Sequence, residues 1–159
     1  MIGAAAMAAR GVGRSTRDLD LLTLSTVGLD PSWWAPLSDA GASVSVSRGD
    51  ADDPLAGVVR FEQKGERPVD LVFGRYRWQQ RILERAEPAV VAGTTLPTVR
   101  ARDLVLLKLY AGGSQDAWDI EQLLAGPDRE ALIAAVSTGV DDLPVRCRRL
   151  WHRIMNAGS

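Results

Sequence analysis

Asp18 and Asp20, one residue apart in Arg17-Asp18-Leu19-Asp20-Leu21-Leu22, have the type and spacing that most directly suggest chemistry. If Asp18 to Leu24 is a strand, its side chains alternate between faces. Both carboxylates then project to one side, roughly 6–7 Å apart, while Leu19 and Leu21 point to the other. Such a pair is half of a divalent-metal clamp. The other half is expected from Asp70, between Val69 and Leu71 in a second apolar strand, where an unpaired carboxylate would be costly or stay protonated. If the two strands are neighbours, three carboxylates converge and repel one another unless a cation neutralises them. Hard oxygen donors favour Mg²⁺ in that place, and two such ions about 4 Å apart would activate a hydroxyl and hold a triphosphate. Gly3-Ala4 at a helix start adds backbone N–H groups and a positive dipole end suited to phosphate.

The same residues have plainer readings. Asp18 and Asp20 also suit the solvent face of an amphipathic edge strand, and Asp70 can pair with Arg60 or Arg75. Lys108 is the only charge between Leu104 and Ala111, in a helix apolar almost all round. It must snorkel or meet a carboxylate, and Asp116 and Asp119 are the near candidates.

The elements that must position these residues follow from periodicity and punctuation. Ala4 to Ala9 favours helix, ended by Gly11 and Gly13, and Thr16 to Leu24 is the first strand. Asp30-Pro31-Ser32 opens a helix through Trp33, Trp34 and Leu37 toward Ala40, with Gly41 as the stop. Val44 and Val46, then Val58, Val59 and Phe61, read as two strands around the polar turn Gly49 to Pro54. Val69 to Phe73 is a further strand. Arg75 to Ala86 has helical spacing, and a loop containing Pro88, Gly93 and Pro97 follows. Beyond Arg102 the chain reads as four helices, Asp103 to Ala111, Ala117 to Leu124, Arg129 to Val136 and Arg146 to Met155. The expected fold is an α+β body with a mixed sheet carrying a helical C-terminal part, with a boundary near Gly93.

Composition narrows the classes. Hydrophobic content of 46% with 25% charged residues is that of an ordinary globular chain, and a net charge of −1 advertises neither nucleic acid nor membrane as a global partner. Cys147 is the only cysteine and His152 the only histidine, which excludes intrachain disulfides and cysteine-based zinc sites and disfavours a Ser-His-Asp or Cys-His mechanism. No window approaches the roughly eighteen apolar residues of a transmembrane helix. Met1 to Ala9 lacks the basic flank of a signal peptide, so the chain is read as cytoplasmic, without a membrane partner. Asp50, Asp52 and Asp53 lack the glycine and glutamate of a calcium loop and read as a solvated turn. The five tryptophans read as core. Arg146, Arg149 and Arg153 share one face of the last helix, where they could touch RNA or simply be solvated.

Ile2-Gly3-Ala4-Ala5-Ala6 through Gly11, then Arg14, Thr16 and Asp18-Leu19-Asp20-Leu21, resembles the opening motif of the nucleotidyltransferase superfamily, a Gly-Gly or Gly-Ser pair followed by Asp-x-Asp. Val69-Asp70-Leu71 resembles its third-carboxylate strand. Leu104 to Lys108, followed by Asp116 and Asp119, is similar to the helical Asp-Leu-x-x-x-Lys…Asp-x-x-Asp motif of AbiEii-like nucleotidyltransferases, several of which act as toxins. The resemblance implies a nucleotidyltransferase-like core over residues 1–92, with the helical part, 93–159, packed on it. It implies transfer of a nucleoside monophosphate from an NTP, with Mg²⁺ or Mn²⁺, to an RNA, protein or small-molecule acceptor, in a toxin–antitoxin setting with a cognate toxin or antitoxin as partner. In that scheme Asp18, Asp20 and Asp70 hold the metals, and Asp70 also serves as base. Gly3, Ala4, Arg14 and Thr16 meet the nucleotide, Lys108 meets the triphosphate, and Asp116 orients Lys108 or the acceptor. The pattern departs from the family at Ala4, which has no side-chain hydrogen bond to offer, and in the near absence of the strand and helix that normally precede the glycine pair. Two alternatives share the fold: an inactive binding or antitoxin-like module, and an aminoglycoside-type small-molecule nucleotidyltransferase.

Overall fold

The main sheet is mixed and four-stranded, and its strands come before most of the helices in the chain. In the computed structural model, which describes residues 1–13, 17–91 and 93–157, helix α1 (Gly3–Ala9) leads into strand β1 (Leu19–Thr23). Two 3₁₀ turns, Thr26–Leu29 and Pro31–Trp34, precede α2 (Ala35–Asp39), and β2 (Ser43–Arg48), β3 (Gly57–Glu62) and β4 (Val69–Phe73) complete the sheet. Then come α3 (Arg77–Glu84), a hairpin of β5 (Glu87–Val91) and β6 (Thr94–Thr98), and helices α4 (Ala101–Ala111), α5 (Ser114–Leu124), α6 (Arg129–Ser137) and α7 (Val145–Ala157). With 49% helix and 22% strand, the two segregated along the chain, the fold is α+β.

β1 lies parallel to β4, and β3 runs antiparallel to both β4 and β2. One face of the sheet is apolar. Val44, Val46, Val59, Phe61, Leu71 and Phe73 pack beneath Leu29 and Trp34, whose indole N–H donates to Gly28 O at 2.6 Å. The segment over that face differs from the single helix expected between Asp30 and Ala40. Pro36 has no N–H to continue a helix entered from Asp30, so the chain breaks after Trp34 and restarts with Pro36 in the first turn of α2. Trp33 and Trp118 are exposed, contrary to the expectation of core, whereas Trp78 and Trp151 are buried.

The expected loop around Gly93 is a hairpin instead. Pro88 and Pro97 sit opposite each other in its register, so neither ring interrupts a ladder hydrogen bond that the other needs. Gly93, at φ +79°, makes the turn. The larger core runs from Ala5, Ala6 and Met7 in α1 through Ile82 and Val99 to Leu104, Val105 and Leu109 in α4, and on to Val136 and Trp151. α4 is its axis, packing against α1, α5, α6 and α7. Extended backbone at the start of the chain joins the layers, because Ile2 N–H donates to Asp20 O and Val99 N–H to Met1 O. Among the described residues, no helix is long and apolar enough to cross a membrane.

Candidate functional site

Strand register decides which carboxylates can meet. Asp20 stands directly opposite Asp70 on the neighbouring parallel strand, and Asp70 stands opposite Arg60 on β3. Residues paired in register share a face, and Asp18 precedes Asp20 by one alternation, so all four side chains belong to the polar face of the sheet. Arg60 is the cation of this group. Its Nη1 donates to Asp70 Oδ2 at 2.8 Å and to Asp18 Oδ2 at 3.4 Å, and its Nε donates to Glu62 Oε1 at 3.1 Å. Glu62 and the carboxylates of Asp70 and Asp18 hold the guanidinium above its ordinary value, the hydrogen bond to Glu62 contributing most. Of the two pairings open to Asp70 in sequence, the one with Arg60 is formed. Arg75 instead donates to the carbonyls of Gly49 and Asp50. The second oxygen of Asp70, Oδ1, is buried and has no hydrogen-bond partner among the described residues.

Gly3 is where backbone and chemistry coincide. It starts α1 at φ +66°, and a Cβ there would lie 1.9 Å from Asp20 Oδ2. Only glycine meets both conditions, the left-handed backbone and the close approach of a carboxylate. Ala4 is buried in the core and does not share the cavity that Gly3 lines. Arg14 and Thr16 lie outside the described residues.

A second charged group belongs to the helical layer. Gly112, in the left-handed conformation, ends α4, and α5 begins at Ser114 after Gly113. Asp116, in the first turn of α5, accepts from Gly113 N–H at 3.0 Å and from Lys108 Nζ at 2.9 Å. Lys108 also donates to Asp119 Oδ2 at 2.5 Å, and Asp119 is fully buried. Lys108 therefore has two carboxylate partners one helical turn apart, as the Asp-x-x-Asp spacing requires.

Both groups border one cavity of about 360 Å³. Gly3, Asp20, Gln79, Lys108 and Asp116 form its polar part. Leu22 and Val72 from the sheet, Leu104 and Leu107 from α4, Tyr110 and the Pro54-Leu55 loop form its apolar walls. Leu104, Leu107, Lys108 and Ala111 line it at i, i+3, i+4 and i+7, the stripe that one helix face presents. Asp20 is thus brought to the same cavity as Lys108 and Asp116, whereas Asp18 and Asp70 lie on the adjoining sheet surface, held by Arg60.

Two cavity residues were not singled out from the sequence. Gln79 is buried, and its Oε1 accepts from Arg75 N–H at 2.8 Å and Tyr76 N–H at 2.9 Å. As the third residue of α3 it makes the returning half of a capping box to the Tyr76 backbone, but Tyr76 is not the Ser or Thr that would have marked one in the sequence. Tyr110 donates to Pro54 O at 3.3 Å beneath the rings of Tyr76 and Trp78, and burial pushes its hydroxyl above its ordinary value. Only the fold could reveal that contact, because Pro54 is 56 residues away. A second buried carboxylate besides Asp119, Asp103, takes a fork of bonds from Arg85 at 2.6 and 3.4 Å and ties α4 to α3 outside the cavity.

The donor set suits a hard divalent cation in kind, being carboxylate oxygens of which Asp70 Oδ1 is buried with no partner among the described residues. It is not gathered around a common point. Among the described residues, no group of three His, Cys, Asp or Glu side chains is arranged to hold a metal ion, and Arg60 supplies the positive charge instead. No family model matches the chain, and no curated protein matches it in sequence.

Proposed function

We propose that the protein is a nucleotide-binding member of the nucleotidyltransferase fold class that transfers a nucleoside monophosphate from an NTP to an acceptor. The observation that carries this reading is the convergence of Gly3, Asp20, Lys108 and Asp116, far apart in sequence, on one cavity whose other lining residues are mostly apolar. A nucleotide has the same division, a charged polyphosphate and a flat base and sugar with apolar surface.

Asp20, with Asp70 and Asp18 once Arg60 gives up the two it pairs with, would hold Mg²⁺ or Mn²⁺. The ion's contribution would be to neutralise the triphosphate and lower the pKa of the acceptor hydroxyl. Gly3 keeps the backbone low enough for the Asp20 carboxylate to lie against it. Lys108 offers its ammonium to the cavity while Asp116 and Asp119 fix its position. Leu22, Val72, Leu104 and Tyr110 would give the base and sugar apolar surface to lie against.

A second reading, a binding or antitoxin-like module without transfer chemistry, is favoured by Arg60, which already compensates Asp18 and Asp70. Calorimetric titration with each non-hydrolysable NTP analogue, with and without Mg²⁺, separates the two. Mg²⁺-dependent binding to the wild type that disappears in Asp18→Asn/Asp20→Asn supports the transferase. Binding that ignores both Mg²⁺ and the substitution supports the module, and no binding of any NTP sinks the nucleotide reading.

A further inference from the structure

α7 is amphipathic in an unusual way. Cys147 and Trp151 are buried on its inner face, joined by the partly buried Leu150, Ile154 and Met155. Its outer face exposes Arg146, Arg149, His152 and Arg153, and the helix has no acidic residue. The net charge of the chain is −1, so this concentration of cations is local. The two acids just before the helix are engaged elsewhere or weakly, Asp142 with Arg81 at 2.6 Å and Asp141 with Arg148 at 3.9 Å. Among the described residues, Arg149 and Arg153 meet no carboxylate at salt-bridge distance.

The face also has a direction. Arg146 donates to Tyr110 O at 2.7 Å, and its guanidinium lies 5.1 Å from the centre of the Tyr110 ring. Tyr110 is a wall of the candidate cavity. Arg146, Arg149 and Arg153 therefore form a strip about 10 Å long, anchored at Arg146 against that wall, beside an open groove that all three line.

We infer that this strip binds the phosphate backbone of a single-stranded nucleic acid. Guanidinium groups are matched to phosphate oxygens in geometry and charge. A protein partner would need a desolvated apolar anchor at the centre of its interface. α7 directs its tryptophan and most of its aliphatic side chains inward, and among the described residues only Val145 stands out as an exposed large apolar side chain on this helix. Nucleic-acid binding needs no such anchor, because neutralised phosphates and released counterions supply most of the affinity. The inference extends the proposed function by naming the chemistry of its acceptor, and nucleic-acid binding is measured without nucleotide so that either idea can fail alone.

The probe is a fluorescein-labelled twenty-nucleotide oligouridylate, followed by anisotropy across a salt series. Arg149→Glu/Arg153→Glu is expected to weaken binding at least tenfold. It should also flatten the log–log salt dependence by about 1.4, two contacts at roughly 0.7 each. Lys64→Glu/Arg77→Glu makes the same charge change at exposed positions elsewhere and should stay within twofold of wild type. Arg149→Gln/Arg153→Gln, with a melting curve beside it, must show an intermediate loss at wild-type stability. Absence of binding by the wild type, equal losses in both charge-reversed doubles, or displacement of the RNA by an equal charge of polyglutamate would each overturn the inference, the last in favour of an acidic protein partner.

Discussion

Two cationic side chains each face more than one carboxylate, and they do so in opposite surroundings. Arg60 faces Asp18, Asp70 and Glu62 on the sheet surface with 36% of its side chain exposed. Lys108 faces Asp116 and Asp119 between α4 and α5, with 14% exposed and Asp119 at 0%. Charge sign alone would treat them alike. Solvent separates them, because water can replace Arg60 as a partner for its carboxylates but cannot reach Asp119 to replace Lys108. The open group is therefore exchangeable, able to trade an internal cation for an incoming one. The closed group is a fixed support that lends its outer part to the cavity.

The strongest test of that contrast is Lys108→Met. Leaving Asp119 buried beside a thioether should lower stability by about 3–5 kcal/mol, read from urea denaturation, and should weaken NTP binding by calorimetry. A change below about 1 kcal/mol would mean that Lys108 is as replaceable as a surface cation. Next in size is Gly3→Ala. A left-handed alanine costs about 1–2 kcal/mol before the displaced Asp20 carboxylate is counted, so both melting temperature and nucleotide affinity should fall. Retention of both would show that the carboxylate does not need its seat against Gly3.

Arg60→Gln sharpens the comparison from the other side. An exposed pair contributes about 0–1 kcal/mol, so stability should barely change. Mn²⁺ affinity, followed by electron paramagnetic resonance of the free ion, should rise as the competing cation is removed. Unchanged Mn²⁺ binding would separate Arg60 from any ion site. Asp20→Asn should likewise leave the melting temperature within a few degrees while removing Mg²⁺-dependent nucleotide binding, and a large drop in melting temperature would make Asp20 structural.

The smallest expected effect is a pH dependence from the core itself. Burial raises the Cys147 thiol above its ordinary 9.0, so the folded state keeps a proton that the unfolded chain begins to lose near pH 8.5. Stability from this group is complete below that point and declines as pH rises toward the folded value. Between about pH 8 and 10 the melting temperature should fall more steeply for wild type than for Cys147→Ala; parallel curves would exclude the thiol as the source.

The closed group was legible almost entirely in one dimension. A lone lysine in an apolar helix must find a carboxylate, and Asp116 and Asp119 at a three-residue spacing were the near supply, so helical periodicity and the penalty on buried charge were sufficient. The open group was only half legible. Alternation placed Asp18 and Asp20 on one face, and the apolar flanks of Asp70 marked a strand, but which strand lies beside which depends on pairing across about fifty residues. Arg60 illustrates the limit, being one of two arginines that Asp70 could choose, with the antiparallel register of β3 making the choice. The hairpin around Gly93 was hidden by Pro88 and Pro97, which read as loop residues until each is seen to face the other.

The sequence by itself determined most of the local elements, though not the hairpin around Gly93 or the break after Trp34, and the helix-borne ion pair, because these follow from contacts within a few residues and from the cost of burying unpaired charge. Tertiary structure alone decided that Asp20 aligns with Asp70, that Arg60 stands as the counter-charge, and that Gly3 and Lys108 open onto one cavity. Those are consequences of strand register and helix docking, which are set by the summed packing of the whole core and not by any segment of it.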